Sequence, residues 1–383
     1  MNRNVEYLLR SLALVVLVGT LGACANLAPV PTPLPADTGT APTPATPPVS
    51  DDDIRISAVG DIMLDGTARP VLQENGYDYP FVHMRALFKD AHVVIGNLEG
   101  PLTTQGTADR SKTYAFRSPP DKVSAALKNA GFNVVTLANN HTLDYGPQGL
   151  IQTIETLDAV GILHVGAGND NHAARHAAMT TVHGQRIAFL GYSVTLPETF
   201  YATQTRPGTA FGHEEHVRAD VAAARLEADI VIVSFHWGQE GKTALREYQT
   251  RLGRVAIDAG AQAVLGHHPH ILQAVEYYKD GVILYSLGNF VFGSYSKTAA
   301  RSAVAQLRFR HGRLAELRMV PILVDNFIVQ FQPRVLTGAE ADAVVTTLQE
   351  LSALQNTALE NRNGVAYLPI PAATTALEQS GKK

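Results

Sequence analysis

Five short polar motifs in the sequence carry side chains of the kinds that bind divalent metal ions. The motifs are Gly60-Asp61, Asn97-Leu98-Glu99, Asn139-Asn140-His141, His236-Trp237-Gly238 and Gly266-His267-His268-Pro269-His270. Carboxylate, carboxamide and imidazole groups together suit borderline ions such as Mn²⁺, Fe²⁺ and Zn²⁺. The motifs hold enough ligands for two ions, and paired ions can stabilise both the attacking and the leaving oxygen of a displacement. They therefore predict a site for one or two divalent metals.

The position of the motifs in the chain supports this interpretation. Each motif follows directly on a predicted strand, and ligands in open α/β sheets bind at the carboxyl ends of the strands. His268 and His270 are expected on an extended segment, which would send both rings to the same side. For any single motif the default interpretation is that its polar groups cap a strand or satisfy loop backbone. The shared position of all five favours one common site.

The elements that must position these motifs alternate between strands and helices. Short apolar runs predict strands at residues 54–60, 91–96, 133–138, 230–235, 263–265, 303–309 and 314–324. Helical spacing predicts helices at residues 80–89, 121–130, 147–160, 216–228, 246–260 and 339–354. Hairpins are predicted at residues 180–191 and 276–290. Alternating strands and helices predict a largely parallel sheet, and the hairpins add antiparallel strands, so a two-sheet α/β sandwich is expected.

Composition limits the class of protein. The chain has 383 residues, of which 45% are hydrophobic and 17% charged, with a formal net charge of -4. This is the balance of a globular protein with an ample core. The mild acidity argues against nucleic acid as the main partner, since that would favour a basic surface.

The first fifty residues differ from the rest. Arg3 and Arg10 precede an apolar run from Ser11 to Leu21, which is too short to span a bilayer comfortably. The run ends in Leu21-Gly22-Ala23-Cys24, which resembles a bacterial lipobox, in which the cysteine is lipidated and becomes the new N-terminus. The alternative is an uncleaved membrane anchor with an incidental cysteine. Either way we expect an extracytoplasmic protein anchored to the bacterial membrane.

The chain is accordingly expected to contain five segments. Residues 1–23 would be a lipoprotein signal peptide, and residues 24–53 the lipidated cysteine with a Pro/Thr-rich linker. Residues 54–294 would form the main domain, and residues 295–370 would add strands and a helix that complete or flank it. Residues 371–383 would be a tail.

Six strings of the sequence are similar to those of the CapA family. These capsule and poly-γ-glutamate synthesis proteins are related to calcineurin-like metallophosphoesterases. The strings are AVGDIML from Ala58, NLE from Asn97, LANNH from Leu137 with DYG from Asp144, SFHWG from Ser234, GHHPH from Gly266 and YSLGNF from Tyr285. They occur in family order and cover about Ile54 to Phe292. The resemblance implies a metallophosphoesterase-like four-layer αββα sandwich with mixed sheets.

The resemblance also implies roles for the first matching residues. Asp61 resembles the first aspartate, a ligand of one metal. Glu99, or alternatively Asn97, occupies the region of the bridging carboxylate. Asn140 resembles the asparagine ligand of the second metal, and His141 the catalytic histidine that protonates the leaving group.

Three later histidines complete the implied metal ligands. His236 and His268 resemble ligands of the second metal, and His270 resembles a ligand of the first. Asn97 and Asn289 are further candidates for ligand binding.

Two departures from the phosphoesterase pattern weaken the first metal position. The histidine expected two residues after the first aspartate is Met63, a poor ligand for a borderline ion. The bridging aspartate is replaced by the string that ends in Glu99. Both departures are usual in the CapA family. Asp65 is a further candidate ligand there, and both one metal and none stay open.

Two functions follow from the resemblance. The first is participation in capsule or poly-γ-glutamate biosynthesis as the partner of an integral-membrane polymer synthase. The second is metal-dependent hydrolysis of a phosphoester or related bond in an extracytoplasmic substrate. The expected ligand of the domain is accordingly an anionic polymer or a phosphoester.

Overall fold

The computed structural model describes residues 52–370, which contain eighteen strands and nine α-helices. The strands in chain order are β1 (Ile54–Met63), β2 (Val93–Leu98), β3 (Val134–Thr136), β4 (Leu163–Val165), β5 (Ala167–Gly168), β6 (Ala178–Val182), β7 (Gln185–Ser193), β8 (Gly208–Thr209), β9 (Ile230–His236), β10 (Ala263–His267), β11 (Val275–Tyr278), β12 (Gly281–Leu284), β13 (Asn289–Phe292), β14 (Arg301–Arg310), β15 (Arg313–Leu323), β16 (Arg334–Val335), β17 (Glu360–Arg362) and β18 (Val365–Leu368). The helices are α1 (Arg69–Asn75), α2 (Arg85–Phe88), α3 (Pro120–Ala130), α4 (Gly146–Ala159), α5 (Asn171–Arg175), α6 (Glu214–Glu227), α7 (Glu247–Asp258), α8 (Asn326–Val329) and α9 (Gly338–Ala353).

Two mixed sheets contain most of the strands. The first has the order β17-β18-β15-β14-β1-β2-β3-β4, with β13 paired to β1 and β16 to β15. The second has the order β11-β12-β10-β9-β7-β6. Within the first sheet β1, β2, β3 and β4 run parallel, and within the second β7, β9, β10 and β12 do so. The carboxyl ends of the parallel strands carry the five polar motifs.

Three groups of buried side chains show how the layers are stacked. Side chains from both sheets, such as Ile56 and Ile232, share the inner core. A second group joins the first sheet to α3 and α4, and a third joins the second sheet to α6 and α7. The predicted four-layer α/β sandwich with mixed sheets is therefore confirmed.

Local signals explain where the longer helices begin and end. Pro120 and Pro147 lie in the first turns of α3 and α4, where a missing N–H costs nothing. Gly131 ends α3 in the left-handed conformation, with φ of 101°. On α4, Leu150 and Leu157 share the buried face, as their spacing predicts.

Most predicted elements are present, but one helix is wrong. Residues 80–89 form a 3-10 turn, Tyr79–Phe81, and the single-turn helix α2. Phe81 and Phe88 are buried, and one-turn pieces satisfy that burial without a continuous helix. The second predicted hairpin is shorter than expected, because β12 ends at Leu284 and β13 leaves it to pair with β1.

The predicted signal peptide, lipidated Cys24, linker and tail lie outside the described residues, apart from positions 52 and 53. Within residues 52–370, no helix is both long and apolar enough to cross a membrane.

Candidate metal centre

Asp61 lies at the carboxyl end of β1, at the centre of the site. Its register partners are Asn97 on β2 and Asn289 on β13, so two predicted site residues flank it on neighbouring strands. The backbone N–H of Asp61 donates to the carbonyl oxygen of Gly288 at 3.0 Å. Gly60 makes this approach possible, because a Cβ there would lie 1.9 Å from that oxygen.

The Asp61 carboxylate meets two histidines and an amide. Its Oδ1 accepts a hydrogen bond from Asn97 Nδ2 at 2.9 Å and lies 3.3 Å from Nδ1 of His267. Its Oδ2 lies 3.1 Å from Nδ1 of His270 and accepts from the His268 backbone N–H at 3.2 Å. Nδ1 of His270 also lies 3.0 Å from Oδ1 of Asn289. These contacts form the first half of the centre.

Glu99, Asn140, His236 and His268 form the second half. Nε2 of His236 lies 2.8 Å from Oδ1 of Asn140 and 3.8 Å from Oε1 of Glu99. The rings of His236 and His268 lie 4.7 Å apart between centroids. Ligand atoms of Glu99, His268 and His270 lie within 4.8 Å of one another, as do those of Asp61, Glu99 and His236. The structure thus brings together all six predicted metal-binding side chains.

Buried amides hold the two halves in register. Asn97 Nδ2, besides its bond to Asp61, lies 3.3 Å from Glu99 Oε2 and 3.3 Å from His236 Nδ1. Asn139 in turn donates to Asn97 Oδ1 at 3.0 Å. The Asn97 amide therefore contacts three of the predicted ligands, and the carboxylate in the bridging region comes from Glu99.

The environment tunes these groups in opposite directions. Burial alone would raise the pKa of Asp61, yet its contacts with His267 and His270 hold it well below its usual value. Burial and the neighbouring Asp61 charge raise the pKa of Glu99 well above its usual value. Burial lowers the pKa of His268 to about 3 and that of His236 well below its usual value. Both imidazoles are therefore neutral at pH 7, which is the form that binds metals.

The pKa of His270 shifts upward, in contrast to those of His236 and His268. Burial lowers its pKa, but the charges of Glu99 and Asp61 outweigh burial and raise it to about 9. The protonated ring thus balances the buried carboxylates, a role that a divalent ion would take over.

The backbone of the last motif differs from the prediction. His268 and His270 have φ of 94° and 60°, so the segment is not extended, and that expectation is wrong. The rings still lie only 6.0 Å apart. Non-glycine residues in this region are strained and persist where surrounding contacts enforce them, as the Asp61 contacts do here.

Several polar atoms of the site have no hydrogen-bond partner among the described residues. They are Oε1 of Glu99, both ring nitrogens of His267 and Nδ1 of His268, and all are buried. His267 Nδ1 is close to Asp61 but not aligned for a hydrogen bond. Orphaned buried polar atoms are costly, and a bound ion would satisfy them. The donor set therefore fits one or two borderline divalent ions.

His141 lies beside the centre and is held by groups that the motifs did not reveal. Its Nδ1 lies 2.7 Å from Oδ2 of Asp144 and 3.1 Å from Nζ of Lys112. Lys112 also donates to Oδ1 of Asp144 and, at 2.5 Å, to the backbone oxygen of Asn140. Burial lowers the pKa of His141, and Asp144 opposes that shift.

Sequence reasoning missed the contributions of His267, Lys112 and Asp144. His267 is the last residue of β10 and adjoins two assigned histidines, so its position was a usable signal. Asp144 belongs to a matching string, but Lys112 lies in an irregular segment and no pattern marks it. Asp65, a candidate first-metal ligand, is instead bound by Arg69 and by the backbone N–H of Arg117.

A cleft of about 740 Å³ opens onto this centre. His141 and His270 line its floor, together with Asn289. The fold and the site thus define an α/β sandwich protein with a buried carboxylate–histidine centre at its strand ends.

Comparison with known proteins identifies the family of the chain. Residues 55–294 match the family described as "Bacterial capsule synthesis protein PGA_cap". The chain is 32% identical over 281 residues to the "Capsule biosynthesis protein CapA" of Bacillus anthracis, covering 72% of this chain and 68% of that protein. It is 34% identical over 285 residues to the "PGA biosynthesis protein CapA" of Bacillus subtilis, covering 74% and 75%. The chain belongs to the PGA_cap family of bacterial capsule synthesis proteins.

Solved structures with a similar chain path include the NAD nucleotidase of Haemophilus influenzae. It has a TM-score of 0.46 and 13% identity, covering 78% of this chain and 62% of the other. A 5'-nucleotidase precursor from Thermus thermophilus has a TM-score of 0.43 and 13% identity, covering 80% and 60%. Likeness at this level carries no information on function.

Proposed function

We propose that this chain is a CapA-like protein of capsule or poly-γ-glutamate biosynthesis, working beside an integral-membrane polymer synthase. The observation that carries this proposal is the family match over residues 55–294. Relatives named for capsule or poly-γ-glutamate biosynthesis support it, at 32% and 34% identity.

A deletion experiment tests this role. Removing the gene from its host should lower the amount of surface polymer, and the intact gene supplied in trans should restore it. Unchanged polymer in a host that makes one would reject the proposal.

The proposal includes a lipid tether at Cys24 on the outer face of the membrane. The short apolar run before Cys24 and the proline-rich segment after it support the tether. Cells fed labelled palmitate should label the wild-type chain but not Cys24→Ala, and the variant should leave the membrane fraction. A variant that stays labelled would exclude this attachment point.

A second function is favoured by the geometry of the centre, namely metal-dependent hydrolysis of a phosphoester. Asp61, His267 and His270 would hold one ion, and Glu99, Asn140, His236 and His268 a second or shared one. When bound, such ions polarise a phosphoryl oxygen and supply hydroxide at neutral pH.

The chain's own part in hydrolysis falls to His141. Its Nδ1 faces Asp144, so Nε2 is the nitrogen left for the cleft. A water oxygen bonds to phosphorus, the ester bond breaks with its electron pair on the leaving oxygen, and His141 gives that oxygen a proton. The proton released by the water later replaces it, so an alcohol and a phosphate leave.

Elemental analysis of the purified full-length chain tests this function first. Wild type should hold stoichiometric metal, and His268→Ala/His270→Ala should lose it. His141→Ala should keep the metal while hydrolysis of glycerol 3-phosphate, whose alkoxide leaving group needs a proton, falls by about 10²- to 10⁴-fold. Hydrolysis at the wild-type rate in that variant would refute the assignment of the proton donor.

A further inference from the structure

The cleft above the centre has an aromatic wall on one side that leads inward. The rings of Tyr114 and Phe116 are stacked with centroids 6.2 Å apart and planes inclined by 2°. Phe116 in turn lies 4.9 Å from the ring of His141. Tyr114 is 68% exposed, so a large flat ring faces solvent at the mouth of the cleft.

A second aromatic wall faces the other half of the centre. Phe292 lies 4.5 Å from the ring of His270. Further out, Tyr295 is 45% exposed and packs against Phe327 and Phe331 at 4.9 and 5.4 Å. Tyr295 therefore has two neighbouring rings and Tyr114 one, and these contacts restrict the ring orientations before a ligand binds.

The remaining lining of the cleft is rich in hydroxyl groups. Thr67, Ser294, Ser296 and Thr298 all line it between or beside the aromatic walls. Among the described residues that line the cleft, none is lysine or arginine, and the acidic Glu240 is present. A chain of carboxylates would need repeated cations along its path, and beyond His270 at the floor these lining residues offer none.

Rings with hydroxyl edges match this lining. The C–H faces of a sugar ring pack on aromatic side chains, while its hydroxyls exchange hydrogen bonds with serine, threonine and carboxylate groups. We propose that the cleft binds carbohydrate, so that the phosphoester presented to the centre is attached to a sugar. This inference rests on the proposed hydrolase function for the phosphoester, but the carbohydrate cleft itself can be tested without it.

Calorimetric titration of the full-length chain tests the cleft. The probes are three neutral trisaccharides, maltotriose, cellotriose and tri-N-acetylchitotriose, beside tri-γ-glutamate and adenosine monophosphate. At least one trisaccharide should bind more tightly than the last two. Tyr114→Ala and Tyr295→Ala should each weaken its binding by about five- to ten-fold. Tyr278→Ala, in the second sheet and outside the cleft lining, should not.

Several results would overturn the carbohydrate assignment. They are no trisaccharide binding, tighter binding of tri-γ-glutamate or the nucleotide, or unchanged affinity in both tyrosine variants when circular dichroism shows them folded. Measurements of hydrolysis distinguish a failure of the carbohydrate assignment from a failure of the proposed hydrolase function. Wild type should cleave glucose 6-phosphate with a kcat/KM about ten-fold above that of glycerol 3-phosphate. Trisaccharide binding without metal or hydrolysis would reject the hydrolase and leave the cleft assignment standing.

Discussion

At the scale of single residues, His267 is the group whose role the structure changes most. It is buried, lies 3.3 Å from Asp61, and has no hydrogen-bond partner among the described residues for either ring nitrogen. It can thus supply the ligand that Met63 cannot. We expect His267→Ala to weaken metal affinity by about ten-fold or more, measured by competition with a chromogenic chelator. The control is the variant His172→Ala, in the short helix α5, which should keep the wild-type metal affinity. Wild-type affinity in His267→Ala would show that His267 is not a metal ligand.

A second residue-scale prediction concerns His164 on β4, away from the five motifs. Burial lowers its pKa, and Asp158, 3.3 Å away, only partly opposes the shift. A lowered folded pKa means that the unfolded chain binds more protons once the pH falls below about 6.5, so stability falls with pH there. His164→Gln should reduce that slope by at most about one proton.

Urea unfolding of the chelator-treated protein at pH 7 and pH 5 measures this slope. The variant His83→Gln, on an exposed turn, serves as the matched control. An equal loss of stability in His164→Gln and wild type would contradict the prediction.

The residue types of the site were predictable, and their backbone was not. Asp61, Glu99 and His236 each follow an apolar run, so the strand-end rule predicts from the sequence that they lie together. The left-handed backbone of His268 and His270 was not visible, because contacts from Asp61 impose it. Lys112 was missed because 32 residues separate it from Asp144, and no periodicity spans that distance.

At the scale of elements, the close approach of β1 to Gly288, just before β13, positions Asp61 against Asn289. Gly60 lies at the contact, where a Cβ would be 1.9 Å from the oxygen of Gly288. Since that neighbour is backbone, it cannot move aside cheaply. We expect Gly60→Ala to destabilise the fold by about 1–3 kcal/mol and to lower metal content, measured by urea unfolding and elemental analysis.

Gly184 provides the matched control for that substitution. It lies at a hairpin turn with φ of 76°, where a Cβ would meet nothing within 4 Å. Gly184→Ala should cost only the strain of a left-handed residue, about 1–2 kcal/mol, and leave the metal content unchanged. Full metal occupancy in Gly60→Ala would show that the close contact between Gly60 and Gly288 is not needed to position the metal ligands.

The sequence predicts the strands but not which strands pair with one another. The runs that became β14 and β15 were predicted as strands near the C-terminus, with no assigned neighbours. In the structure β14 pairs antiparallel with β1 from Ile54 to Ala58, between β1 and β15. A strand this distant in the chain joins the sheet through long-range packing, which local periodicity does not encode.

For the whole molecule, the family match ends at residue 294 but the inner core does not. Buried side chains from β14 and β15, among them Leu307, Phe309 and Leu317, belong to the core shared by both sheets. Helix α9 adds Val345 and Leu348 to the same core. Removing these elements would expose β1 as an edge strand from Ile54 to Ala58, where it pairs with β14, and would open the core to water.

We therefore expect a chain that ends at Ser294 to fail to fold, although it spans the whole family match. A chain that ends at Ile370 keeps every described element. It should melt cooperatively, with a melting temperature within about 5 °C of that of the full-length protein. Thermal melting followed by circular dichroism, with soluble yield, compares the two. A cooperative melt at the full-length temperature in the shorter chain would show that residues 55–294 form a complete domain. The later strands would then be an addition to that domain rather than part of its core.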